Sequence, residues 1–340
     1  MKDVARACGV SVVTVSRALR GDRNHSAETR QKICEAAAAM GYRANPLVAA
    51  LMSERGRHKP GKATVNLGLI NLGGKWESHS FYQGAVAQAE ALGYRVEMFS
   101  LAPGKPAAQR LRRVLLHRGV RGLIVLPALR ADWKMDFDFE GFAAATIGSS
   151  LIEPPLPRVT TDTYGRLIQA FREMERRGYR RLGLLGTRDL DHRFQYQITA
   201  AIEVYRRIGS PRAKIFPLDV EAGAEAVNPQ VLATWIRRHR IDALISQLGS
   251  QYEALKQSTL RIPEALGYLH LHRHENARVT QMDQMQEGIG RKAADVVIGM
   301  INRNEFRVPT HPQTVMIPSV WHEGATCPPK ASRRTRAGSI

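Results

Sequence analysis

The 340-residue chain predicts an α/β protein in which an all-α amino-terminal domain of helix-turn-helix type precedes a two-lobed α/β domain. Three observations carry this. Before Gly56 apolar residues recur at helical spacing, with turn signals at Gly9, Gly21 and Gly41. From Thr64 onward apolar strand-like runs alternate with amphipathic helical stretches, the pattern of a parallel sheet with crossover helices. Lys and Arg outnumber Asp and Glu by 50 to 31, a formal charge of +19, which favours a polyanionic partner such as nucleic acid or an anionic membrane surface.

The first helix, Lys2 to Cys8, places Val4, Ala5 and Cys8 on one face, and Gly9 supplies the tight turn before Val10. Ser11 is the N-cap of a second helix, Val12 to Leu19. There Val15 and Leu19, four apart, turn toward the first helix and leave Val12, Val13, Ser16 and Arg17 outward. Two valines on an exposed face are explained by thymine methyls in a DNA major groove, where an Arg on the same face can bond guanine O6 and N7 together. Ser11, Thr14 and Ser16 are then candidate phosphate contacts. The plainer alternative is a surface helix of a small all-α domain. Ser26 caps a third helix running to Met40, with Glu28 near its positive end, Ile33, Ala37 and Met40 on its buried face and Gly41 as its stop.

The stretch from Met1 to Pro46 resembles the LacI family, most clearly in KDVA, GVS, TVSR, the SAETR segment and GYRANP. The resemblance implies that Val12, Val13 and Arg17 read bases, and that Leu51 of NPLVAALM is a hinge-helix leucine wedged into the minor groove, with Val48 and Ala49 beside it. The residues agree: Pro46 suits a helix start, and Pro46 to Met52 is apolar around most of its surface, which a seven-residue helix cannot bury alone in water. A paired minor-groove helix that inserts leucines unstacks a base step at roughly a few kcal/mol and bends the duplex; a linker helix without intercalation is the alternative. Two departures stand out: His25 occupies a position that is usually hydrophobic in the family, and the chain opens at Met1 where many members carry a capping Thr before the Lys.

Residues 53 to 63 (SERGRHKPGKA) are basic and hold Gly56, Pro60 and Gly61, the signature of a linker. Beyond them the expected elements are a strand in VNLGLINL, a helix from Phe81 to Leu92, a strand from Val96 to Leu101, a helix from Gln109 to Leu116 and a strand in LIVLP. A second unit follows, with a helix from Tyr164 to Arg177, a strand in RLGLLG, a helix from Ile198 to Ile208, a helix from Leu232 to His239, a strand in DALISQ, a helix from Met285 to Ile301 and a last strand in TVMIPS. The segment RVTTDTYG, a helix and GYRRLGLLG again resemble the family, which implies periplasmic-binding-protein-like lobes with a ligand between them. The domain expectation is therefore 1–45 for DNA binding, 46–62 for hinge helix and linker, 63–328 for effector binding and dimerisation, and 329–340 as a basic, disordered tail.

Trp76, Asp162, Arg193 and His270 are the candidate effector residues, the second and third by carry-over from the family. Bland alternatives exist for that pair, a surface Asp and a helix-start Arg. The family pattern fails where specificity is usually set: Leu248-Gly249 stands where many members carry Asn-Asp, and Gly267-Tyr268-Leu269-His270 where they carry Gly-Phe-Asp-Asp. Losing those carboxylates removes acceptors for sugar hydroxyls, so beside a sugar or sugar derivative an anionic or aromatic ligand, or none, stays open. His270, His272 and His274 would share one face of a strand and could bind a metal, but an exposed polar edge is the favoured reading and no metal or cofactor is expected.

GLINLGGK has neither GxGxxG nor GxxxxGK[ST] spacing, His322-Glu323 lacks the second His of HExxH, and no nucleophile triad or paired carboxylates assemble, so no enzyme is predicted. Cys8, Cys34 and Cys327 have no CxxC spacing; Cys8 and Cys34 are read as buried, reduced core residues. No apolar run approaches the roughly 18 residues of a membrane span, and a cytoplasmic location without membrane attachment is expected. The expected partners are double-stranded operator DNA, a small-molecule effector and a second copy of the chain, the helix around Ala85 to Ala91 being a candidate dimer contact. The alternative function is an effector-independent DNA-binding protein whose large domain only dimerises.

Overall fold

The computed structural model describes residues 2–11, 14, 15, 18, 27–39, 66–76, 79–209, 213–221 and 226–330. The chain divides into two units, Met1–Thr64 with Gly299–Glu305 and Val65–Ile298 with Phe306–Ile340.

In the first unit, α1 (Lys2–Cys8) and α2 (Ala27–Ala39) share a core of Val4, Ala5, Val15, Ala18, Ile33 and Ala37, with Cys8, Val10 and Ala36 packed at its edge. Gly9 takes φ of +68°, a left-handed turn that glycine adopts at little cost. Cys8 is only half-buried, its thiol directed at the Lys32 carbonyl 3.9 Å away. Cys34 is exposed, because one residue past Ile33 the helix has turned about 100° away from the core. The expectation that both cysteines are buried is thus corrected.

The large unit comprises two lobes. The elements in chain order are β1 (Asn66–Asn71), α3 (Ser80–Ala91), β2 (Arg95–Ser100), α4 (Lys105–His117), β3 (Val120–Val125), β4 (Trp133–Lys134), β5 (Ala143–Ile147), β6 (Leu151–Glu153), β7 (Arg158–Thr161), α5 (Thr163–Arg176), β8 (Arg181–Thr187), α6 (Arg188–Arg193), α7 (Gln197–Ile208), β9 (Lys214–Val220), α8 (Pro229–His239), β10 (Ala243–Ser246), α9 (Gln251–Lys256), β11 (Gly267–His270), β12 (Thr280–Asp283), α10 (Gln286–Arg303), β13 (Thr314–Ile317) and β14 (Val320–His322). The first lobe holds the sheet β13-β7-β5-β3-β1-β2 and the second the sheet β14-β12-β11-β10-β8-β9. All pairings in these sheets are parallel except β12 with β14. The chain passes between lobes three times, after β7, β12 and β13.

Helices on both sides of each sheet bury its faces, so the strands read as continuous apolar runs. In β10, Ala243 and Ile245 join one core of the second lobe, formed with α5 and α7, while Leu244 joins the other, formed with α8. The first lobe is filled by Ile70, Leu115, Leu123, Val125 and Phe142 among others. Where α3 crosses α10, a Cβ on Gly84 would overlap the Glu287 carbonyl and one on Gly290 the Phe81 carbonyl. Gln88 also donates to Asp295 across the same crossing at 2.7 Å. Ala85 and Ala89 are fully buried, so that face of α3 is used within the chain.

Part of the expected tail is docked. The Lys330 backbone N–H donates to the Arg177 carbonyl at 2.7 Å, and its ammonium lies 2.8 Å from Asp242 and 4.7 Å from the Tyr179 ring centroid. Residues 331–340 lie outside the described residues.

Candidate functional site

Two places can do chemistry or recognition. In the amino-terminal unit, the Ser11 hydroxyl accepts from the Thr14 backbone N–H at 3.0 Å and lies 2.9 Å from the Thr14 hydroxyl. Ser11 therefore caps the helix that follows, and Val15, fully buried, fixes which face of it turns inward. Of the expected DNA contacts, Val12, Val13, Ser16 and Arg17, and the hinge residues Val48, Ala49 and Leu51, lie outside the described residues.

The second place is where the carboxyl ends of the two parallel sheets meet, the position at which open α/β sheets hold ligands. Asp132, in the loop after β3, accepts from His192 of α6 at 2.7 Å and from Gln195 at 3.4 Å, tying one lobe to the other. The loop after β1 brings Trp76, His79 and Phe81 into an aromatic cluster with ring centroids 5.0–5.2 Å apart. Opposite it, the loop after β11 carries His272 and His274, with His270 at the strand end. The His270 ring lies 5.9 Å from His272 and 5.2 Å from His274, and its Nδ1 lies 3.1 Å from the Tyr268 hydroxyl.

Arg166 of α5 reaches the same place and is 1% exposed. Its Nη1 donates to the Leu271 carbonyl at 2.7 Å, while Nε and Nη2 are buried without a partner among the described residues. The Trp76 indole N–H and both side-chain polar atoms of Gln247, just beyond β10, are likewise buried and unpartnered. Burial lowers the Arg166 pKa to about 10 against the opposing pull of Asp162, so the guanidinium stays charged at neutral pH. His270 and His272 are held neutral: burial, then His274 and Arg166, push His270 down to about 4. Burial, then Arg166, His270 and His79, push His272 well below its ordinary value.

Residues 1–45 match the family described as bacterial regulatory proteins, lacI family. The family match covers the amino-terminal 45 residues of the chain. Over 193 residues it is 28% identical to the HTH-type transcriptional regulator MalR of Streptomyces coelicolor, the match covering 54% of this chain and 52% of that one. The chain spans about half the length of the curated relatives it first matches. Among solved structures, its fold is similar to that of the transcriptional regulator CelR–cellobiose complex, with TM-score 0.57, 17% identity and coverage of 95% and 98% of the two chains. It is also similar to a lac repressor dimer bound to operator and the anti-inducer ONPF, with TM-score 0.56, 17% identity and coverage of 96% and 98%.

The four expected effector residues fare differently. Trp76 and His270 do lie where the lobes meet. Asp162 spends its carboxylate capping α5, accepting from the Gly165 N–H at 2.8 Å, and the Arg193 Nε lies 3.2 Å from Asp189 of its own short helix without a hydrogen bond to any described residue. His270 is 2% exposed and ends its strand, so the three histidines neither share a strand face nor form an exposed edge. Among the described residues, no group of three His, Cys, Asp or Glu side chains is placed to hold a metal ion. Sequence reasoning missed Arg166. The signal was there: Thr163, Arg166, Leu167, Ala170, Phe171 and Met174 form the buried stripe of α5, and a charge on an apolar stripe is rare without a reason.

The neutral histidines make stability depend on pH. A histidine whose pKa is lower folded than unfolded leaves the unfolded chain binding more protons, so its contribution is lost as pH falls below the unfolded value near 6.5. With His270 near 4 when folded, lowering pH from 7 to 5 removes about 2 kcal/mol through this group alone. Urea denaturation at the two pH values should show the loss, and His270→Gln should reduce it. Equal pH slopes in the two proteins would contradict the burial of a neutral His270.

Proposed function

We propose that this protein is a cytoplasmic, sequence-specific transcriptional repressor that binds a near-palindromic operator as a homodimer, under allosteric control by a small molecule held between its lobes. Residues 1–45 would contact DNA, 46–62 form the hinge helix and linker, and 63–328 sense and dimerise. The observation that carries the reading is the corner at Gly9–Ser11. The left-handed glycine, the Ser11 cap and buried Val15 fit the corner that the sequence predicts between the first two helices of a helix-turn-helix. One such helix covers too few base pairs for useful specificity, which argues for two copies on a twofold-symmetric site.

Control follows from the three chain crossings. A ligand that binds one relative setting of the lobes more tightly shifts the population toward it, and the hinge segments entering the large domain respond. The unpartnered donors between the lobes favour this over a purely dimerising large domain. The reading assigns no catalysis.

Selection of the full chain against random duplexes at fixed physiological salt tests the proposal. Enrichment of a palindrome with a deformable central step is the expected result, and sequence-blind, salt-dependent binding would remove the regulator reading. On the selected site, Leu51→Ala should reduce DNA bending and lower specific affinity while nonspecific binding stays nearly intact. An unchanged bend in a circular-permutation gel assay would remove the wedge role of Leu51.

A further inference from the structure

A buried arginine that leaves two of its donor groups unpaired is costly. Taking a charge out of water costs several kcal/mol unless a partner compensates, and buried polar groups in native proteins nearly always find one. Arg166 spends Nη1 on the Leu271 carbonyl, and no described residue meets its Nε or Nη2. Asp162 attracts it through space but accepts from Gly165 rather than from the guanidinium.

Among the described residues, the groups around it add donors. His79, His270, His272 and His274 gather on one side, each of the first three disfavoured as a cation, and the Trp76 N–H and the Gln247 side chain are unpartnered nearby in the loops that close the same space. Three acids of these loops are engaged elsewhere: Asp132 with His192 and Gln195, Asp189 with Arg193, and Asp283 with the Met285 N–H at 2.7 Å. Two open hollows in the second lobe contrast with this place. One, of about 770 Å³, runs over Tyr164, Arg172 and Trp321, and another, of about 610 Å³, over Thr187, Tyr196 and Asp219. Several of their charges are paired within the protein, Arg177 with Glu173 and Glu323, and Arg188 with Asp219.

We propose that the space between the lobes is built for a small molecule bearing a carboxylate or phosphate group, with Arg166 taking that group on its free Nε and Nη2 donors. Such a group supplies the planar, bidentate acceptor that a guanidinium fits best. The inference rests on the reading of this space as the effector site and specifies the chemistry of the effector. It also assigns Arg166 as a binding residue maintained at a cost in stability.

The experiment is thermal unfolding of the full chain at constant ionic strength, with sodium chloride as reference. One arm adds acetate and D-glucuronate, a second adds inorganic phosphate and D-glucose 6-phosphate, and uncharged D-glucose is the control. Wild type should show a saturable rise in Tm in one anionic arm, which identifies the carboxylate or the phosphate as the source, and a smaller rise or none with D-glucose. Arg166→Met, of similar reach and without charge, should melt higher than wild type in chloride and lose the anion response. Arg166→Lys, which keeps the charge without the fork, should retain part of the response and serves as the second variant if the methionine protein does not fold. Absence of any anion response in wild type, or a full response in Arg166→Met, overturns the proposal. If D-glucose alone stabilises the protein and changes operator affinity, the anion inference falls and the effector reading stands. If operator selection succeeds while no compound of either class shifts Tm, the anion inference falls and regulation without an effector is favoured.

Discussion

Gly290→Val is expected to lower the stability of the large unit by roughly 3 kcal/mol or more, read as a fall in the urea midpoint. Its Cβ would overlap the Phe81 carbonyl and crowd the Ala85 backbone nitrogen, so no side-chain rotation can relieve the clash and α3 and α10 have to separate. Separation would open the packing of Phe81, Ala85 and Ala89 and of Ile289, Ala293 and Val297, all buried. Gly288→Ala, two residues earlier in the same helix, is the control. Its Cβ meets only that of Met285 at 3.8 Å, and the gain in helix propensity, up to about 1 kcal/mol, should appear without opposition. Gly290→Val and Gly288→Ala proteins of equal stability would show that the two helices do not cross closely.

The same contact explains what a sequence can and cannot reveal here. The strands β1, β3 and β8 and the helices α5, α7 and α10 were legible because long apolar runs and clear helical stripes leave little choice of element. The four- and five-residue strands β5, β10, β11 and β12 are buried on both faces and so show no alternation; only β10 was recognised, from its DALISQ run. β9 escaped because Pro217 interrupts it, which its place at the sheet edge permits. The close crossing of α3 and α10 was not legible, since the pairing of Gly84 with Glu287 and of Gly290 with Phe81 joins positions about two hundred apart in the chain.

The candidate site divides in the same way. Ser11, Val15 and Gly9 act locally, through a cap and a turn, and their roles follow from neighbouring residues. The space between the lobes is assembled from loops after six different strands, so Trp76 and His270 could be selected by residue type while Asp162 and Arg193 could not be told apart from a helix cap and an intrahelical ion pair. Arg166 shows how a single residue outweighs a motif. Its position on the buried stripe of α5 conflicts with burial energetics, and a local conflict of that kind marks function more often than error.

Arg17→Ala should abolish most discrimination at one symmetric pair of operator positions. Each bidentate arginine–guanine contact is worth about 1–3 kcal/mol, and a dimer makes it twice. The expected loss on the selected palindrome is therefore about 2–6 kcal/mol, a drop in affinity of roughly 30-fold to more than 10⁴-fold. The pattern across sequences distinguishes base reading from charge. Removing a phosphate contact would weaken binding to every duplex alike and reduce the salt slope by about one. Removing a base contact should leave binding to unrelated duplexes nearly unchanged and make operators altered at that pair bind the mutant and wild type equally. Competition binding at fixed salt, with duplexes substituted one symmetric pair at a time, reads both quantities. A uniform loss on all duplexes would move Arg17 from the bases to the backbone and leave Val12 and Val13 as the only proposed base readers of the helix.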